Sequence, residues 1–234
     1  VISQRQEETT EVFKHKAELE DTSLCFAEDF YKVSWKNNTP FDGFTAYWNN
    51  NHFFDTDHFG LGGLYQHWNI QGVLMTAELL NEQGFVLPID SIKHGIEQVI
   101  FNTGLRGRWQ RLQENPTVIC DTGHNKDGIE QVVAQLNTLP YKTLHIVIGM
   151  VREKDALSVL KLLPADATYY FCQASIPRAE EAHILAEKAL SLGLKGEVIP
   201  DVNEAIAAAK RSAAKDDLIF IGGSTFVVAE INEL

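Results

Sequence analysis

Thr117-Val118-Ile119-Cys120-Asp121-Thr122-Gly123-His124-Asn125 is the stretch on which the reading of this chain turns. Its first four residues make a short apolar β-strand. The carboxyl end of that strand delivers an aspartate, a histidine and an asparagine into a turn, with Gly128 and a helical pattern behind it. Just upstream, Gly107-Arg108-Trp109-Gln110 sets an arginine beside an aromatic residue. An open parallel α/β sheet holds its ligands at the carboxyl ends of strands and the amino ends of the helices that follow. Chemistry is therefore expected here.

Toward the C-terminus the pattern becomes regular. Val118–Cys120, Leu144–Ile148, Tyr169–Cys172, Glu197–Ile199 and Leu218–Ile221 are short apolar runs of the kind that fill a sheet buried on both faces. Three helical stripes lie between them: Ile129, Val132, Val133 and Leu136; Ala182, Leu185, Ala186 and Ala189; and Val202, Ala205, Ile206 and Ala209. Strands alternating with helices predict a doubly wound, mostly parallel α/β domain over residues 105–234.

Residues 1–104 read differently. The chain opens without methionine on Val1-Ile2 and runs at once into a charged helical stretch, Glu7–Leu19, which suggests entry into a longer protein midway, or else a trimmed start. From Leu24 to Tyr65, aromatic clusters separated by Asn and Asp predict antiparallel strands joined by turns. Those aromatics either fill a half-buried sheet or offer a stacking face. A glycine-rich turn, Gly60-Leu61-Gly62-Gly63, precedes a helix with Ile70, Val73, Leu74 and Ala77 on one apolar face. A second helix is expected from Pro88-Ile89-Asp90, capped by Asp90 or Ser91, with Ile92, Ile96 and Val99 inward and an end near Gly104.

Composition narrows the function. The 234 residues are 44 % hydrophobic and carry a formal charge of -12, which disfavours a nucleic-acid backbone as partner. No apolar run reaches the eighteen or more residues that a membrane span needs. Cys25, Cys120 and Cys172 are odd in number and widely spaced, as suits free thiols in the cytoplasm. The histidines lack zinc-ligand spacing, so no metal site built by this chain alone is expected. No Gly-x-Ser-x-Gly elbow supports a serine hydrolase.

Several residues then stand out, each with two readings. Asp121 suits ribose hydroxyls and His124 a phosphate or carboxylate; each could equally serve the turn. Arg108 could pair bidentately with a phosphate or lie on the surface of a linker. Lys154, Arg178 and Ser224 fall in loops that a parallel sheet would bring to the same edge, where they could bind an anion. Lys154 could instead be a solvated neighbour of a cap, and Gly222-Gly223-Ser224 only a tight turn.

The ordered set Gly-x-Tyr-Gln-x-x-Asn, Gly-Arg-Trp-Gln, Asp-Thr-Gly-His-Asn, Met-Val-Arg-Glu-Lys-Asp and Gly-Ser-Thr-Phe-Val-Val-Ala-Glu resembles folylpolyglutamate synthase/dihydrofolate synthase, within the Mur-type amide ligases. The resemblance implies a Rossmann-like C-terminal domain over residues 105–234 and, over residues 1–104, the tail of an ATPase domain. It implies an ADP-forming ligase that uses ATP and Mg²⁺ to activate a folate or dihydropteroate carboxylate as an acyl phosphate, which the amine of L-glutamate attacks. It further implies ATP contacts from Asn69, Arg108 and Asp121, a catalytic place for His124, glutamate contacts from Lys154 and Ser224, and a cytoplasmic monomer. A cell-wall muramyl peptide ligase or a non-catalytic nucleotide-binding domain are the other readings. Gly-x-x-Gly-Lys-Ser/Thr, the phosphate loop of the family, is absent from the 234 residues, so this chain by itself is expected not to turn over. Smaller departures are Tyr65, Gly123, Lys126 and Glu153, where the family usually has histidine, alanine, proline and aspartate.

Overall fold

The computed structural model describes all residues, Val1–Leu234. The chain separates into two compact units, Val1–Leu105 and Arg106–Leu234.

In the first unit, helix α1 (Glu7–Leu19) is followed by three strands, β1 (Tyr31–Trp35), β2 (Phe44–Trp48) and β3 (Asn51–Asp55). They pair antiparallel in that order. Asn49 and Asn50, both at positive φ (48° and 64°), turn β2 into β3, the backbone handedness that a tight hairpin demands and that asparagine tolerates. Helix α2 (Gln66–Glu82) packs on this sheet. Phe44, Ile70, Leu74 and Met75 form the buried centre, and the Trp35 ring lies 5.9 Å from both Phe44 and Phe59. Most of the aromatic run is thus core. Trp48 is an exception, exposed near the end of β2.

Two expectations are corrected in this unit. Val73, expected on the inner face of α2, is 50 % exposed; Met75 takes that burial instead. The helix after Pro88 is capped by neither Asp90 nor Ser91: Pro88 itself is the N-cap, and no side chain bonds the cap. That helix is also broken at Gln98 into α3 (Ile89–Glu97) and α4 (Val99–Thr103), the second ending at Gly104 with φ 64°.

The second unit is a six-stranded sheet of β4 (Gln110–Glu114), β5 (Thr117–Cys120), β6 (Leu144–Ile148), β7 (Thr168–Phe171), β8 (Gly196–Val198) and β9 (Leu218–Gly222), in the order β4-β5-β9-β6-β7-β8. All pairs are parallel except β4 with β5. Edge strand β4 was not expected: Gln-Arg-Leu-Gln-Glu has one apolar residue and no buried face to announce it. The other edge, β8, is exposed throughout and begins one residue before the anticipated run.

Helices α5 (Lys126–Leu136), α6 (Ala156–Leu160) and α7 (Ala182–Leu190) cover one face, where Ile119, Ile146, Ile148, Phe171 and Phe220 point. Helices α8 (Val202–Ser212) and α9 (Thr225–Ala229) cover the other, over Val118, Val147, Tyr170 and Ile221. Alternate residues of each central strand therefore enter opposite cores, which is why these strands are apolar without a break. Each fully buried aliphatic side chain contributes roughly 1.5–3 kcal/mol to holding the three layers together. No helix is long and apolar enough to cross a membrane.

Candidate functional site

Strand β9 lies between β5 and β6, yet its helix α9 leaves for the opposite face from α5 and α6. The loops at the carboxyl edge must therefore diverge on both sides of β9. Divergence of this kind opens the crevice in which doubly wound sheets hold ligands. A cavity of about 550 Å³ lies in this region, lined by His124, Val151, Glu153, Lys154, Arg178, Ser224, Thr225 and Phe226.

The turn after β5 is built around Asp121, which is 3 % exposed. Its Oδ2 accepts from the Trp109 N–H at 2.7 Å and its Oδ1 from the Gly123 N–H at 2.7 Å. The Thr122 N–H donates to the Gly107 carbonyl at 2.9 Å, and the Gly107 N–H donates to Gln110 Oε1 at 2.9 Å. Gly107 has φ 69°, and a Cβ there would come within 2.7 Å of Val228 Cγ1 and 2.9 Å of Thr122 Cγ2, so only glycine fits. Trp109, also at positive φ (49°), is buried against Phe220 at 6.3 Å between ring centroids. Every member of Gly-Arg-Trp-Gln except the arginine is thus spent on anchoring the loop. Arg108 is left half-buried, with no ion pair.

Asn125 caps α5, its Oδ1 accepting from the Gly128 N–H at 2.9 Å. His124 Nδ1 lies 3.0 Å from the Thr122 carbonyl. A carbonyl only accepts, so in this contact Nδ1 is the donor, which leaves Nε2 as the ring nitrogen turned to other partners.

From the β6 side, Asp155 caps α6 by accepting from the Ser158 N–H at 3.1 Å, and Lys154 beside it is exposed, without an ion pair. From β9, Gly223 takes φ 85°, and a Cβ there would lie 2.8 Å from the Gly149 carbonyl. The close approach of these two strand ends brings Ser224 into the cavity at 3 % exposure, where its side chain caps α9 by accepting from the Phe226 N–H at 3.2 Å.

The structure thus gathers His124, Lys154 and Ser224 around one cavity. Arg108 and Asp121 do not line it; they belong to the adjoining loops at the start of β4 and the end of β5. Asn69 is in the first unit, exposed on the first turns of α2, with its Nδ2 donating to Gln66 Oε1 at 2.8 Å. Sequence reasoning passed over Phe226, whose ring lies under the Arg178 guanidinium with 4.7 Å from Cζ to the centroid. The only sequence signal for that contact was the place of both residues shortly after parallel strands, Arg178 in a loop and Phe226 at the start of α9. No cluster of three or more His, Cys, Asp or Glu side chains is placed to hold a metal ion.

Residues 107–225 match the family model described as Mur ligase, glutamate ligase domain. A probable bifunctional folylpolyglutamate synthase/dihydropteroate synthase of Haloferax volcanii is 32 % identical over 147 residues, which is 59 % of this chain and 17 % of that protein. The dihydrofolate synthase/folylpolyglutamate synthase of Escherichia coli is 31 % identical over 157 residues, 66 % of this chain and 35 % of the relative. The structure of Mycobacterium tuberculosis folylpolyglutamate synthase complexed with ADP and AMPPCP superimposes with a TM-score of 0.76 at 21 % identity, covering 97 % of this chain and 52 % of that one. The chain therefore spans about half or less of the proteins it matches. With a sheet of this order, a cavity at its carboxyl edge and a family match across more than half its length, the chain belongs to the Mur ligases and carries their glutamate ligase domain.

Proposed function

We propose that this chain is the C-terminal portion of an ATP-dependent ligase that adds L-glutamate to a folate, and that residues 1–104 are the tail of its ATPase domain. The observation that carries the reading is the single cavity where His124, Lys154 and Ser224 meet, inside the matched glutamate ligase domain. ATP supplies the phosphoryl group that turns the folate or dihydropteroate carboxylate into an acyl phosphate. Lys154 and Ser224 hold a carboxylate of glutamate. His124 Nε2 takes a proton from the glutamate ammonium; the neutral amine then attacks the acyl carbon, the acyl C–O bond to phosphate breaks, and phosphate departs with the second amine proton as the amide forms. Arg108, with no ion pair of its own, Asp121 and Asn69 are the residues proposed to contact ATP. The family's Mg²⁺ is assigned to none of these residues, which form no metal-binding cluster. The setting is cytoplasmic, supported by the buried free thiols of Cys120 and Cys172, and the protein is a monomer acting on small molecules.

The test is ADP release by the longest polypeptide containing this chain, with MgATP and glutamate and with dihydropteroate, tetrahydrofolate or a nucleotide-linked muramyl acceptor in turn. Release that needs both a pterin and glutamate supports the reading; release only with the muramyl acceptor moves the protein to the cell-wall branch. His124→Ala should lower kcat with less effect on the KM for ATP, and a normal kcat would remove His124 from the reacting groups.

A further inference from the structure

We propose that Asn203, on helix α8 and outside the cavity, is a positioning residue for the ligation: its carboxamide clamps the segment that follows α9 and so holds Ser224 in the cavity wall. This rests on the ligase reading given above and adds to it a residue that touches neither substrate nor reacting atoms.

Helix α9 cannot hold itself in place. It has five residues, Thr225–Ala229, and a helix that short has no stability of its own in water. On its strand side it hangs from Gly222-Gly223, and a glycine joint imposes little preference on the direction in which the chain leaves. Burial of Val227 and Val228 fixes how deep the helix lies, but apolar burial has no direction of its own. Yet Ser224, Thr225 and Phe226 all line the cavity, so one wall of the site depends on how α9 is aimed. Directional contacts have to come from beyond its far end.

Asn203 supplies them. Its Nδ2 donates to the Glu230 carbonyl at 2.8 Å, and its Oδ1 accepts from the Asn232 N–H at 3.1 Å. The two bonds bracket the buried Ile231 as one residue of a neighbouring parallel strand would, and they engage a carbonyl that the end of α9 leaves without a helical partner. A planar amide suits the task because it donates and accepts at once. The clamp has a fixed base: Asn203 is in the first turn of α8, whose start is capped by Asp201 accepting from the Glu204 N–H at 2.9 Å. Two turns on, Lys210 pairs with Glu233 at 2.6 Å, a surface contact that adds little.

The Gly107 loop, although it packs on Val228, is fastened separately through Asp121. Loosening the clamp therefore acts on Ser224 and spares Arg108.

The experiment measures ADP release by the longest polypeptide containing this chain, with MgATP and tetrahydrofolate, titrating glutamate and ATP in turn. Asn203→Asp is the decisive variant, because it keeps the shape and the acceptor but sets a carboxylate oxygen against the Glu230 carbonyl. It should raise the KM for glutamate about 5- to 100-fold, through one lost hydrogen bond and the unpaired carbonyl left behind, with kcat and the KM for ATP unchanged. Asn203→Ala should act in the same direction, and Asn203→Gln, which keeps donor and acceptor, should recover part of the loss. Native-state hydrogen exchange of this chain gives a reading independent of activity: the Val228 and Ile231 amides, bonded to the Ser224 and Val228 carbonyls, should exchange faster in Asn203→Asp while Ile219 and Phe220 keep wild-type rates. An unshifted KM for glutamate in Asn203→Asp, a rise shared equally by the KM for ATP, or wild-type exchange at Val228 and Ile231 overturns the positioning role alone. A wild type that ligates no glutamate to any pterin overturns the ligase reading, and the positioning role with it.

Discussion

Replacing Asp121 by asparagine tests whether this residue first of all fastens the Gly107–Trp109 loop to the end of β5. The carboxylate accepts two backbone N–H groups, from Trp109 and Gly123, both at 2.7 Å and both on a residue almost wholly buried. Asparagine keeps one acceptor oxygen and turns an NH₂ donor toward the other amide. One bond survives at neutral strength; the other becomes donor against donor. Losing one charge-assisted bond lowers the free energy of local opening by about 1.5–3 kcal/mol, which speeds exchange of the affected amide protons about 10- to 100-fold. Native-state hydrogen exchange reads those two amides individually, with Ile219 and Phe220 in the central strand as internal controls. Faster exchange at Trp109 or Gly123 with the controls unchanged is the expected result. Wild-type rates at both amides, or an equal acceleration at Ile219 and Phe220, would refute the fastening role.

Gly107→Ala should destabilise the second unit by at least about 1–2 kcal/mol for the left-handed backbone alone, before the contacts with Val228 and Thr122 are counted; an unchanged urea midpoint would refute this. Arg108→Ala, which breaks no ion pair, should leave stability close to wild type and raise the apparent KM for ATP in the longer polypeptide, and unchanged kinetics at limiting ATP would remove Arg108 from the nucleotide. Burial pushes the Asp217 carboxyl up, but the Ala214 N–H, His145 and the Thr143 N–H outweigh it and hold the group below its ordinary range. A depressed carboxyl stabilises the fold above its unfolded pKa, and that gain is lost as pH falls through the folded value. Asp217→Asn should therefore lower Tm at pH 7, with the gap to wild type narrowing in acid; a gap that does not change with pH would contradict the assignment.

The legible parts of this molecule were those whose physics repeats along the chain. Leu144–Ile148 is buried at every position, so β6 stands out as a strand without any knowledge of its neighbours. Strand β4 does not, because a polar edge strand is specified by its partner β5 and not by its own residues. Val73 misled because a stripe of four apolar residues fits the sheet by either of two neighbouring faces, and packing chose the one with Met75. For the site, parallel topology was enough to bring His124, Lys154 and Ser224 to one edge. It was not enough to show that Asp121 has both its oxygens on backbone amides, or that Arg178 rests on Phe226. Those are contacts between loops far apart in the chain, and they depend on side-chain directions that no spacing rule encodes.

The order β4-β5-β9-β6-β7-β8 carries a further consequence for how the second unit is made. Strand β9 is the last of the six to leave the ribosome, yet it is the only link between β5 and β6, which do not touch as strands. Until Leu218–Gly222 is available, the hairpin of β4 and β5 and the ladder of β6, β7 and β8 are two unconnected pieces with open edges of unpaired backbone. Closing them requires contacts across about a hundred residues, a non-local step that slows folding and leaves sticky edges exposed meanwhile. Because Ser224 and α9 follow directly from β9, the cavity is completed by the same event that joins the sheet. A nascent chain therefore cannot assemble the cavity before the fold that supports it.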